Sequence, residues 1–138
     1  MATPYTMLAL VVTVATTTLA VARVACALQS AARNGDMGQL TNIVQSVGSH
    51  TLNLEPAFHE ASSHGRINAM KYLIAQGADD FNGALVRASI NNQIRAVRYL
   101  VEHDQSVVDL DLQLARLAAG SAGATEAEFM LVTHIMHG

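Results

Sequence analysis

FHEASSHGRINAMKYLIAQGAD, residues Phe58 to Asp79, is two short helical patterns joined at a glycine. Phe58, Ala61 and Ser62 share one face of the first pattern, and Met70, Leu73 and Ile74 share one face of the second. Apolar or small residues at i, i+3 and i+4 mark a buried helical stripe. His64-Gly65 and Gly77 stand where the two helices should stop, the place for a residue that tolerates a left-handed backbone. A helix-turn-helix unit this short cannot bury both stripes alone, so it calls for neighbours of its own kind.

Copies are present on both sides. LQSAARNGDMGQLTNIV starts at Leu28, and LVRASINNQIRAVRYLV starts at Leu85. With Leu28, Phe58 and Leu85 as anchors, a small pair recurs at Ala31-Ala32, Ala61-Ser62 and Ala88-Ser89. The turn recurs at Asn34-Gly35, His64-Gly65 and Asn91-Asn92, and asparagine follows glycine in tolerance of positive φ. The second stripe recurs at Leu40, Ile43, Val44, at Met70, Leu73, Ile74, and at Val97, Leu100, Val101. A fourth copy, LARLAAGSAGATEAEFMLVTHI from Leu114, keeps the first helix and reaches its second stripe at Phe129, Leu131 and Val132. Anchors fall about 30 residues apart, the period of a stacked helical repeat.

This pattern, apolar-x-x-small-small-x-x-Gly followed by an apolar helix ending in Gly77-Ala78-Asp79, resembles the ankyrin repeat. Pro56-Ala57-Phe58-His59 approximates the Thr-Pro-Leu-His start of the family, and the Tyr-Leu-Ile and Tyr-Leu-Val endings at Tyr72 and Tyr99 are similar to the degenerate ankyrin repeats of large DNA viruses. The resemblance implies an all-α fold, a short solenoid of about four helix pairs over 28–138; the departures from the family in length and in the Thr-Pro-Leu-His start predict short loops in place of β-hairpin fingers, and one apolar helix over 1–27 precedes the stack. It also implies that His59 ties backbone groups together.

Composition narrows the partners. Of 138 residues, 51% are hydrophobic and 14% charged, a surplus of apolar side chains over an ordinary soluble domain. Net charge is −3 and there is no Trp, which argues against nucleic acid as a partner. The single cysteine, Cys26, reads as a small apolar helical residue; the alternative is a juxtamembrane acylation site.

The apolar surplus lies at the start. YTMLALVVTVATTTLAVA, 5–22, carries no charge, and the run through Leu28 has the length that a helix needs to cross a hydrocarbon core of roughly 30 Å. Threonines in it can return their hydroxyls to carbonyls one turn back. Three readings compete: a membrane anchor through 5–28, a signal peptide cut near Ala25-Cys26-Ala27, and an apolar helix buried against the first repeat or by neighbouring subunits. The anchor leads because Arg23 and Arg33 follow the run and no Lys or Arg precedes it, which places the repeats on the cytoplasmic side.

Chemistry is poorly represented. The chain has no phosphate-cradling glycine loop, no His-Glu-x-x-His helix and no Gly-x-Ser-x-Gly elbow. His59 and His64 flank Glu60, but the repeat frame gives both histidines structural slots. His134 and His137 could share a metal, yet no further ligand is spaced to join them, so they read as solvent-facing residues at a helix C-terminus. We therefore expect no enzyme, no cofactor and no metal. Asp80 or Asn82 caps one helix, Asp109 or Asp111 caps a helix beginning near Leu112, and Thr125 with Glu128 has capping-box spacing.

Function is expected across repeats. Two and five residues past each anchor lie Ser30 and Arg33, Glu60 and Ser63, Arg87 and Ile90, then Arg116 and Ala119. In stacked helical pairs such positions line the concave side, where a partner protein binds. Ser30, Arg33, Glu60, Ser63, Arg87, Ile90 and Arg116 are the expected partner-binding residues of a membrane-tethered interaction module. The alternative is a structural subunit of a large assembly, a virion shell or an organellar complex.

Overall fold

A computed structural model describes residues 4–103 and 109–137. Among these residues the chain is helical, with eight helices: α1 (Pro4–Asn34), α2 (Met37–Val47), α3 (Glu55–Ser63), α4 (Ile67–Ala75), α5 (Phe81–Ile90), α6 (Ile94–His103), α7 (Asp109–Ser121) and α8 (Thr125–His137). Odd-numbered helices pack closely on one another, and even-numbered helices touch each other far less. One layer is therefore tight and the other splayed, so the stack curves with the odd helices on its inner side.

Small residues set the tight layer. Ala31, Ala32, Ala61, Ser62, Ala88 and Ser89 are fully buried, as are the large anchors Phe58 and Leu85. Ser62 and Ser89 donate their hydroxyls to the carbonyls of Phe58 and Leu85 at 2.8 and 2.7 Å, so neither leaves a polar atom unpaired. Phe58 meets Phe81 of the next repeat edge-on, with ring centroids 5.8 Å apart. Leu40, Val44, Met70, Leu73, Val97 and Leu100 close the core from the second helices.

Each first helix ends in the same turn. Backbone N–H groups of Asp36, Arg66, Gln93 and Ala124 reach back to Ala31, Ala61, Ala88 and Ala119 carbonyls at 2.8–3.0 Å. The residue before each donor has positive φ: Gly35 at 72°, Gly65 at 65°, Asn92 at 55° and Gly123 at 75°. This is a Schellman closure, and it places asparagine where the sequence put it. It also sets the register of the fourth repeat. Gly123 aligns with Gly35, Gly65 and Asn92, so the anchor slot falls on Arg116 and the small pair on Ala119-Gly120.

The expected frame from Leu114 is therefore two residues out, and Leu114 is 52% exposed instead of buried. Leu112, Ala115 and Ala119 turn inward in its place. Among the described residues no further helix packs over this slot, so a long polar side chain can occupy it. Phe129, expected in the second stripe, is 74% exposed, while Ala127 and Leu131 are buried.

Caps follow the sequence in part. Asp80 accepts from the Gly83 N–H at 3.1 Å as expected, and Asp36, which the sequence pattern did not single out, accepts from the Gln39 N–H at 3.2 Å. Asp111 does not cap, because α7 already begins at Asp109. Thr125 stands one position inside α8, where the Ala124 carbonyl accepts from the Glu128 N–H, so the capping-box spacing goes unused. Most of the expected loop at 104–111 lies outside the described residues.

Helix α1 is 31 residues long and does not break where the apolar segment meets the first repeat. Its C-terminal part, from Leu28 on, packs into the stack, while none of its most apolar window is buried by the rest of the chain. Burial of this segment against the first repeat is thus overturned. Thr13 and Thr16 donate to the carbonyls of Ala9 and Val12 at 2.6 and 3.0 Å, which satisfies their hydroxyls without water.

Gly65→Ala should cost about 1–2 kcal/mol, since an added Cβ at φ 65° would also press on the Gln93 side chain at 2.5 Å. Gly123→Ala, with open space around the Cβ position, should cost about 1 kcal/mol, and Gly123→Asn less. Thermal unfolding of the three variants checks the order.

Candidate partner-binding face

The inner face is built from the first helices. Along it, Arg33 of α1 donates through Nε to Glu60 Oε2 of α3 at 3.0 Å, and Glu60 also lies 3.8 Å from His64 Nδ1. The structure thus joins two of the expected residues to each other. Their charges are spent across the first inter-repeat boundary, and Arg87 is left on this face without an ion-pair partner among the described residues. Ser30 is exposed and Ser63 half-buried.

Further along, α3, α5 and α7 border a groove of about 650 Å³ lined by His59, Gly83, Arg87, Ile90, Asp111 and Leu114, among others. Ile90 is 43% exposed there. Arg87 and Ile90 are brought together as expected; Arg116 is not with them. Its guanidinium donates to Gln113 at 3.3 Å and borders a small hollow with Val132, Ile135 and Met136 of α8. The register explains the displacement, since Ala118 and Ser121 hold the positions equivalent to Arg87 and Ile90.

Sequence reasoning missed Leu114, which looks like an anchor by type and spacing. Only the turn geometry at Gly123 shows that it faces the groove. Leu117, 60% exposed on the same helix, was missed for the same reason.

One cluster of titratable groups lies at the edge of this groove. Both carboxylate oxygens of Glu55 accept backbone N–H groups of the next repeat, from Asp79 at 3.0 Å and from Asp80 at 3.2 Å. The His59 ring donates from Nε2 to Asp80 Oδ2 at 2.9 Å, while Asp80 Oδ1 caps α5. Glu55, not His59, makes the backbone tie that the family resemblance assigned to the histidine. His59 instead orients the capping carboxylate. Ligand atoms of Glu55, His59 and Asp80 approach within 4.8 Å of one another, but protein hydrogens already occupy their oxygens, so the cluster works as a clamp between repeats. His134 and His137 are exposed in the last turn of α8.

With the stack and its face described, comparison with known proteins gives one positive result. The family "Ankyrin repeats (3 copies)" matches residues 26–111. The chain belongs to the ankyrin-repeat family, whose repeats act as protein-protein interaction modules. Neither a curated protein nor a solved structure gives a significant match. The pair α7–α8, largely beyond the matched residues, stacks on α5 in the same manner.

Alanine normally favours a helix over glycine by about 1 kcal/mol. Gly83→Ala should nevertheless destabilise, because its Cβ would lie 2.5 Å from Asp80 Oδ2 and 2.7 Å from His59 Nε2. With His59→Ala and Asp80→Ala already in place, the same change should become neutral or stabilising. Chemical denaturation of this series reads the clamp directly.

Proposed function

We propose that this chain is a membrane-tethered, non-catalytic adaptor that captures a partner protein on the inner face of its ankyrin stack. The observation that carries the tether is the exposed apolar length of α1. Its span has a mean hydropathy of 1.9, and Met7, Leu8, Leu10, Val11 and Val12 all project away from the protein. Apolar surface of this extent requires cover, and about 20 helical residues match the hydrocarbon thickness of a bilayer. Arg23 and Arg33 follow the span, which favours repeats on the cytoplasmic side. Residues 1–27 then form the anchor and 28–138 the binding domain.

The binding face centres on Arg87, Ile90 and Leu114. An arginine with no ion-pair partner among the described residues, beside two part-exposed aliphatic side chains, is the composition of an interface core, where Arg and apolar anchors contribute most. Ser30, Ser63 and the Arg33–Glu60 pair extend this face toward the membrane-proximal repeat. Arg116 lies outside it.

Carbonate washing of membranes holding the full-length chain should leave it in the pellet. Release into the supernatant would favour the other reading, a subunit whose α1 is covered by neighbouring proteins. For the face, Arg87→Glu combined with Leu114→Asp should lower recovery of co-purifying partner about tenfold or more at unchanged melting temperature. Arg116→Glu should leave recovery as it was.

A further inference from the structure

Cations are unevenly spread over this acidic chain. Of its eight Lys and Arg residues, Arg66, Lys71, Arg95 and Arg98 all belong to the turn before α4, to α4 itself, and to α6. Three of them, Arg66, Arg95 and Arg98, line a groove of about 600 Å³ together with Asn34, Tyr99 and a single acid, Glu102. This groove runs over the turns at Gly35 and Gly65, on a different edge of the stack from the inner face.

Structure uses one of these arginines, and only through its Nε. Arg66 is held in place through Nε, which donates to the Arg33 carbonyl at 3.0 Å and settles its stem against Gly35. Arg95 and Arg98 are exposed and have no ion-pair partner among the described residues. The first turn of α4 also faces the groove, and no side chain caps it. Tyr99 adds no negative charge: burial raises its hydroxyl above the ordinary tyrosine range, and its ring carries Lys71 Nζ at 5.6 Å from the centroid. The result is a positive trough on a chain of net charge −3.

We infer that this trough is a second docking surface, and that its occupant is an acidic polypeptide segment of another protein. Guanidinium groups pair with carboxylates through two parallel hydrogen bonds, and successive carboxylates along an extended chain can engage Arg66, Arg98 and Arg95 in turn. Anionic lipid is the competing source of negative charge, and the fold argues against it. The groove lies at the Asn34 end of α1, about 16 Å along the helix axis from Arg23 and away from the apolar span. That preference for peptide over lipid rests on the tether proposed above; peptide binding itself does not.

The test uses the full-length chain in neutral detergent micelles and a fluorescent oligoglutamate peptide, read by anisotropy. Saturable binding that weakens with salt is expected, and Arg95→Glu with Arg98→Glu should reduce affinity about tenfold or more. Arg95→Gln with Arg98→Gln should give a smaller loss, and Arg116→Glu, outside both the trough and the inner face, none. No peptide binding by the unaltered chain would overturn the inference, and so would equal affinity in the reversed variant or an equal loss in Arg116→Glu. A short-chain phosphatidylserine serves as the second probe. If it alone binds, and does so in a manner sensitive to Arg95 and Arg98, the groove belongs to lipid headgroups and the inference fails. Failure of the carbonate test would remove the tether while leaving the peptide result standing.

Discussion

The close approach of the first helices is the constraint on which the stack depends. It requires two adjacent small residues in each odd-numbered helix, and Ala31-Ala32, Ala61-Ser62 and Ala88-Ser89 meet it with no exposed surface. Ser62 and Ser89 fit because their hydroxyls fold back onto their own helix. Larger residues there would push the helices apart, and interiors packed this densely do not absorb added volume without strain. The anchors Leu28, Phe58 and Leu85 can then fill the space between layers, and the second helices splay outward. Curvature, and with it an inner face, follows from the size of six side chains.

Much of this was legible in the residues. Three repeats were in register from their apolar anchors, small pairs and turn residues, because each class of position is dictated by burial or by positive φ. The fourth was misread. Leu114 is apolar and close to the expected spacing, whereas the true slot holds Arg116, and the pattern of residue types cannot tell a polar residue in the anchor slot from a shifted frame. The backbone at Gly123 resolved it. The same error placed Arg116 on the row through Arg87 and Ile90 and hid Leu114 from it. Ion pairing was also illegible: nothing in the spacing of Arg33 and Glu60 shows that they reach each other across a repeat boundary.

Polar groups between repeats bind each unit to the next. Glu55 grips the backbone of the following repeat, His59 steadies the carboxylate that caps α5, Arg66 covers the preceding turn, and Asn92 accepts from the Ala127 N–H at 3.0 Å. These contacts run in both directions along the chain. A short solenoid has few nearest-neighbour interfaces, so each such contact carries a larger share of the cooperativity than it would in a long array. Gly83 belongs to this set although it has no side chain: its N–H is held by the Asp80 carboxylate, and its bare Cα leaves the room in which His59 and Asp80 meet.

Because α1 passes from its apolar length into the first repeat without a hinge, it acts as a keyed shaft. Whatever holds the shaft also sets the compass bearing of the stack. One residue inserted between Val21 and Leu28 would rotate the repeats by about 100° around the helix axis and raise them by about 1.5 Å. Composition at the junction is therefore free to vary in a way that its length is not: the number of residues there determines which side of the stack a neighbour in the same plane encounters.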